Sequence, residues 1–342
     1  MIRVPGIYNP HRVPVSIHTG LDPNLTMLPI FQLTPKFHHR VWGGQQLLVN
    51  PADPVGEAWL VHEDNLVQGG PLQGQTLAQV TSQYSVALFG PSSERFGARF
   101  PLLIKILDCA DWLSVQVHPN DAQAVALAGP GMFGKTEAWH VLAAKPGAVL
   151  ISGVKPGTTH QTLEAAIQNG TVLDVVEQHE VVTGNTVYMP AGTIHALGPG
   201  LLIYEVQQSS DITYRVWDWN RPASAGRALH IAESLVVSNP QLTGTILSSG
   251  ELDGAGRVLT NPFFLFDVLR VGGSFGQIIT GDTALFECHC LTVTSGNAAV
   301  AAAGVSVSLK RFDSVVVPAS IGKYVIHADL DAVIMRSIPG PG

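Results

Sequence analysis

The apolar residues of this chain come in short bursts. Glu57–Val61, Leu102–Leu107, Leu113–His118, Ala148–Gly153, Thr186–Met189 and Leu201–Val206 are rich in Val, Ile and Leu and are fenced by Gly, Pro, Asn and Asp. Runs of that length are too short for helices and suit strands. The chain carries 35 Gly and 23 Pro in 342 residues, and only 13% of it is charged, against ~25% in an ordinary globular domain. That balance favours many turns and short strands over long solvent-facing helices.

The helical signals are correspondingly few. Asn120–Ala128 has a polar start and is stopped by Gly129-Pro130. Thr158–Asn169 reads as a helix with Thr158 as N-cap, Gln161 three residues on, and Gly170 as the stop. A short turn is expected over Leu173–Gln178. Residues 1–27 lack periodicity and read as an arm. Ser238-Asn239-Pro240 reads as a linker, which divides the rest into domains over 28–240 and 241–342. A weak repeat joins the two. Gly184-Asn185-Thr186-Val187-Tyr188-Met189-Pro190-Ala191-Gly192 is echoed by Phe312-Asp313-Ser314-Val315-Val316-Val317-Pro318-Ala319-Ser320. The first copy runs on to His195, and the second has Lys323 at the corresponding count. Two related β-domains are therefore expected, with a metal site in the first alone.

Several function classes are excluded at this level. The net charge is −7 and there is no Lys/Arg cluster, so nucleic acid is not an expected partner. No apolar run reaches the ~18 residues of a membrane span, and the N-terminus has no apolar signal core. Three cysteines without a Cys-x-x-Cys pair form no disulfide framework. A cytoplasmic protein, monomeric or weakly self-associating and without membrane partners, is expected. The string Gly129-Pro130-Gly131-Met132-Phe133-Gly134-Lys135-Thr136 fits the phosphate-loop pattern, but no strand leads into it and no helix follows, so it is set aside.

Three segments carry metal chemistry. On a strand, residues two apart share a face, so Ser114, Gln116 and His118 point together. Lys135 and Glu137 form a second such pair. In Gly184-x5-Pro190-x-Gly192-x2-His195 a strand ends in a Pro-Gly turn and His195 opens the next. Two histidines and a carboxylate from different strands are a familiar zinc set with an open position for water or substrate. His118, Glu137 and His195 supply it, and Gln116 can add an oxygen. Cys288-His289-Cys290 is a poor rival, because neighbours on a strand face opposite ways. Downstream, Glu205, Asp211, Arg215, Asp218 and Arg221 crowd into a short stretch of a chain otherwise poor in charge. On spacing alone, solvated ion pairs and a functional cluster explain that stretch equally well.

Taken together, Val41-Trp42-Gly43-Gly44, Gly56-Glu57-Ala58-Trp59, Phe100–Lys105 running on to Gln116-Val117-His118-Pro119, Lys135-Thr136-Glu137, Pro190–Ala196 and Ser210–Arg215 resemble the type I mannose-6-phosphate isomerases in their short bacterial form. The resemblance extends from about Leu28 to the C-terminus. It departs at Phe37-His38-His39-Arg40, at His140 and at Leu197. It implies a mainly β fold of two cupin-type barrels or jelly rolls with a few short helices, the C-terminal one degenerate. It also implies one Zn2+ per chain on Gln116, His118, Glu137 and His195, and an active-site arginine at Arg215. The implied reaction interconverts mannose 6-phosphate and fructose 6-phosphate through a cis-enediol. Glu205, ranked first, and Asp211 are the candidates for the base. Lys135 and Arg215 can hold the phosphate or the oxyanion, with Ser114 and Asp211 also at the substrate. The alternative is a non-enzymatic metal-binding cupin that senses a sugar phosphate; it would keep the metal and lose the base or the arginine.

Overall fold

The short apolar runs are strands in the computed structural model, which describes residues 27–48, 51–222, 227–248, 255–284 and 287–342. The arm expected over 1–27 lies outside the described residues, Met27 excepted. The fold is mainly β, built from four sheets of antiparallel strands with a few short helices. Among the described residues no helix is long and apolar enough to cross a membrane.

Two sheets enclose the residues singled out above. One has seven strands in the order Thr245–Leu247, Thr186–Met189, Glu137–Ala144, Leu201–Gln208, Leu102–Cys109, Lys36–Gly44 and Val55–Val61. The other has five: Tyr214–Trp217, Val115–Val117, His195–Leu197, Val149–Val154 and Val176–Glu180. The central strand Leu201–Gln208 is buried along its whole length because both faces are covered. Ile203 packs inward with Leu107, Trp139 and Val141, while Tyr204 and Val206 pack outward against Phe264, Phe266 and Val316 from the C-terminal part. Each such side chain contributes about 1.5–3 kcal/mol when fully buried. That double coverage is why the strand's first half, Leu201–Tyr204, reads as a continuous apolar run rather than an alternating one.

The helix over Asp121–Ala128 is as expected, with Asn120 and Gln123 in a reciprocal capping box. The next helix differs in phase. It spans His160–Gln168, and Thr159 rather than Thr158 is the cap, accepting the Thr162 N–H. Thr158 is spent on a turn, its N–H bonded to the Lys155 carbonyl. Leu173–Gln178 is not a single turn: Val172–Asp174 is a 3-10 turn and Val176–Glu180 is already a strand. Three helices, Leu77–Phe89, Ser93–Phe96 and Ile231–Val237, were not expected. The first carries a Thr76/Gln79 capping box that the sequence displays openly.

The C-terminal sheets repeat the arrangement. Seven strands run Val67–Gln68, Phe31–Leu33, Ser314–Val317, His289–Ser295, Ala332–Pro339, Phe264–Val271 and Ala255–Thr260, facing four: Ile278–Asp282, Lys323–His327, Ala298–Ala302 and Val305–Leu309. Register aligns the copies. Met189, just before Pro190, pairs with Glu137, and Val317, just before Pro318, pairs with His289. From that anchor Glu205, paired with Trp139 and Lys105, corresponds to Arg336, paired with Leu291 and Asp267. The charges are inverted: Lys105 lies 3.1 Å from Glu205 in one copy, and Arg336 lies 2.6 Å from Asp267 in the other.

The copies diverge where His195 would stand. Lys323, which the repeat count put there, is exposed, because the returning strand is one residue out of phase. Tyr324 points inward instead, buried, with its hydroxyl 2.8 Å from His289 Nδ1. Gly281 pairs with Tyr324 as Gln116 pairs with His195, and a Cβ on Gly281 would collide with the tyrosine ring. The ring fills the space that the first copy leaves to its polar cluster.

Candidate metal centre and active-site cavity

Strand pairing assembles the cluster. His195 is the cross-strand partner of Gln116, which is in turn the partner of Arg215, so these three side chains share one face of the five-stranded sheet. Glu137 reaches them from the seven-stranded sheet. Among the described residues His118, Glu137 and His195 form the one group of three or more acidic, His or Cys side chains placed to hold a metal ion, their ligand atoms all within 4.8 Å of one another. His195 Nε2 is 3.2 Å and His118 Nε2 3.6 Å from the Glu137 carboxylate. The Gln116 amide lies 3.3 Å from His195 Nε2.

The surrounding bonds prepare these groups as ligands. His118 Nδ1 donates to the Ile212 carbonyl and His195 Nδ1 to the Thr193 carbonyl, each at 2.9 Å. Each ring therefore turns a bare Nε2 lone pair toward the cluster, the outer-bond pattern of metal-ligating histidines. Burial, then the Lys135 ammonium, holds His118 well below the usual histidine range, so it is neutral. Burial works to raise the Glu137 carboxyl, but the Lys135 ammonium outweighs it and keeps it well below the usual carboxylate range. Both Glu137 oxygens are buried without a well-formed hydrogen bond, although Lys135 Nζ is 3.0 Å away. A buried anion left short of donors is costly, and a divalent cation satisfies it. The residues present thus fit a bound metal.

A cavity of about 460 Å³ adjoins this cluster at Gln116 and Lys135. Ser114, Gln116, Lys135, Glu205, Asp211 and Arg215 all line it, so the structure brings together every one of these expected residues. Lys135 is at the metal end, its Nζ 2.9 Å from His118 Nε2. Glu205 is buried between Lys105 and Trp139: Lys105 Nζ lies 3.1 Å from Oε1, and the Trp139 indole N–H donates to Oε2 at 3.0 Å. Asp211 is exposed at the cavity wall. Asp218 and Arg221, from the same charged stretch, are not in the cavity lining. Asp218 accepts from Arg221 and Arg227, and Arg221 also reaches Asp111.

Several lining residues escaped the sequence reading. Glu57 accepts from Arg40 at 2.9 and 3.2 Å and from the Trp59 indole at 2.7 Å. Burial pushes its carboxyl up, yet Lys105 and Arg40 bring it down to about 2. Lys105 also donates to Gln207 Oε1 at 2.7 Å. Its signal was present, since a single lysine interrupts the otherwise apolar Leu102–Leu107. Arg227 and His230 had no such signal.

Comparison with known proteins identifies the family. The family described as phosphomannose isomerase type I, catalytic domain, matches residues 30–136. The chain is 34% identical over 324 residues to a mannose-6-phosphate isomerase of Streptococcus mutans, covering 90% of this chain and 98% of that protein. A probable mannose-6-phosphate isomerase of Bacillus subtilis is 32% identical, again over 90% of this chain and 98% of its own length. The crystal structure of the Bacillus subtilis mannose 6-phosphate isomerase superposes with a TM-score of 0.80 at 27% identity, covering 91% of this chain and 99% of that one. With a third of its residues shared along nearly the full length of such a relative, the chain belongs to the type I phosphomannose isomerases and is an isomerase.

Proposed function

We propose that the protein interconverts mannose 6-phosphate and fructose 6-phosphate through a cis-enediol, with one Zn2+ held by His118, Glu137, His195 and Gln116. The observation that carries the reading is the pair of Nδ1-anchored histidines facing an undersatisfied Glu137, beside a charged cavity whose lining includes Gln116 and Lys135. Zinc bound there would supply an electrophile for the sugar oxygens at the reacting carbons.

The chain's own groups do the rest. Glu205 is the proton carrier: the Trp139 indole holds Oε2, and Oε1, which faces Lys105, takes the proton from one carbon and returns it to its neighbour. Asp211 ranks second, because its exposed position gives it no comparable anchor. Lys135 lies where charge develops on the reacting oxygens, and Arg215 offers a guanidinium to the same chain of atoms. Ser114, buried at the cavity wall, contributes a hydroxyl for substrate. A sensor that only binds the sugar phosphate would need neither Glu205 nor Arg215, and both line the cavity.

The test is isomerisation of mannose 6-phosphate with and without a chelator, together with metal analysis of the protein as purified. Zinc at one per chain and chelator-sensitive turnover are expected. His195→Ala should lose metal and activity together, and full metal content in that variant would refute the ligand assignment.

A further inference from the structure

Five cationic side chains line the cavity: Arg40, Lys105, Lys135, Arg215 and Arg227. Four are ion-paired, to Glu57, Glu205, Glu137 and Asp218 respectively. Among the described residues Arg215 has no carboxylate within reach, and its Nε is buried without a partner. Arg227 stands close enough that its charge, after burial, lowers the Arg215 pKa. Two guanidiniums face one space, and the one carboxylate beside them, Asp218, is shared between Arg221 and Arg227. Among the described residues, this corner has two guanidiniums and only the one ion-paired carboxylate, Asp218.

Its position is set by the strand ladder. Arg215 lies two inter-strand steps from His195, roughly 10 Å at ~4.8 Å per step. His230 lies beyond it, donating its backbone N–H to the Arg215 carbonyl at 2.8 Å. His230 Nδ1 accepts the Arg215 backbone N–H at 3.2 Å, which leaves its Nε2 carrying the proton as a neutral donor. Arg215 is one strand step from Gln116, so the corner lies on the edge strand of this sheet, on the side of Gln116 away from His195, where the phosphate end of a hexose 6-phosphate extending from the metal cluster would lie.

We propose that Arg227 and His230, beside Arg215, form the subsite for the substrate's phosphoryl group, and that Asp218 is a positioning residue that aims Arg227 into the cavity. Asp218 grips Arg227 through Nε at 2.7 Å and Nη2 at 3.0 Å, which leaves Nη1 for a phosphate oxygen. Lys135, held in the metal cluster, serves the reacting end instead. The assignment deepens the sugar-phosphate reading and rests on it for the identity of the ligand.

The test compares Arg227→Met and Arg227→Lys, the second of which keeps a cation against Asp218 if the first fails to fold. Inorganic phosphate is the probe, titrated by calorimetry on the metal-loaded protein and used as a competitive inhibitor. One lost charge-assisted bond predicts about tenfold weaker phosphate binding. KM for mannose 6-phosphate should rise by a similar factor, with kcat falling much less. Asp218→Asn should move KM in the same direction while metal content holds. Unchanged phosphate affinity in folded Arg227→Met or Arg227→Lys overturns the subsite. Phosphate binding that depends on Arg227 in a protein that isomerises no hexose 6-phosphate would keep the subsite and refute the function.

Discussion

Replacing Lys105 by Met removes the ammonium that faces Glu205. The lysine is 5% and the glutamate 4% exposed, and their charged atoms lie 3.1 Å apart. Burial works against the Lys105 charge, and Glu205 with Glu57 raises its pKa in spite of that. Glu57 keeps Arg40 when the lysine goes, but Glu205 keeps only the Trp139 N–H. Breaking a buried pair from one side costs about 3–5 kcal/mol, because the remaining charge is uncompensated. At roughly 2 °C per kcal/mol for a large domain, the melting temperature should fall by about 6–10 °C. The double variant Lys105→Met/Glu205→Gln should recover at least half of that loss, since no lone charge is left. The single variant also carries a pH signature. A lone buried carboxyl has its folded pKa raised above the ordinary ~4.5, so its penalty is absent below that pH and grows as pH rises. The gap to the parent should therefore narrow when melts are repeated near pH 4.5. A double variant no more stable than the sum of the two single losses would refute the argument that uncompensated charge is the cause.

Three further outcomes are expected. Arg215→Lys should keep its metal and melting temperature but lower kcat and kcat/KM together by about a hundredfold, the scale of one transition-state donor; near-normal kcat/KM would leave the arginine with no role that needs a guanidinium. Burial, then Arg336 and Arg257, lowers His289 to about 3, so its contribution to stability is complete above pH 6.5 and is lost as pH falls toward 3; acid unfolding midpoints should move downward in His289→Gln, and an unmoved midpoint would contradict this. Tyr324→Ala opens the plugged interior of the C-terminal sheets and should cost about 3–5 kcal/mol of stability, like other aromatic truncations, while elemental analysis still finds one metal per chain.

The strands were legible because run length and composition are local properties. Thr186–Met189 has the same bounds in the sequence reading and in the structure, and the other runs differ by a few residues at their ends. The clustering of His118, Glu137 and His195 was legible because its members sit in short segments with their own geometric logic: residues two apart on a strand for Gln116 and His118, and a Pro-Gly turn delivering His195. The helix Leu77–Phe89 was missed although its capping box is local, because its exposed face carries no strong charge pattern to set it apart.

By itself, then, the sequence determined a β fold and a His–Glu–His cluster, both of which follow from nearest-neighbour stereochemistry. Only the tertiary structure decided which charges share a cavity. Lys105, Glu57, Arg40 and Arg227 look like isolated charges along the chain, and a lysine in a strand reads alike whether it faces solvent or a carboxylate on the next strand. Pairing across the sheets brings Lys105 to Glu205 over a separation of 100 residues. It also decided that Tyr324 rather than Lys323 faces inward, because a slip of one residue in the connecting turn exchanges the two faces of a strand.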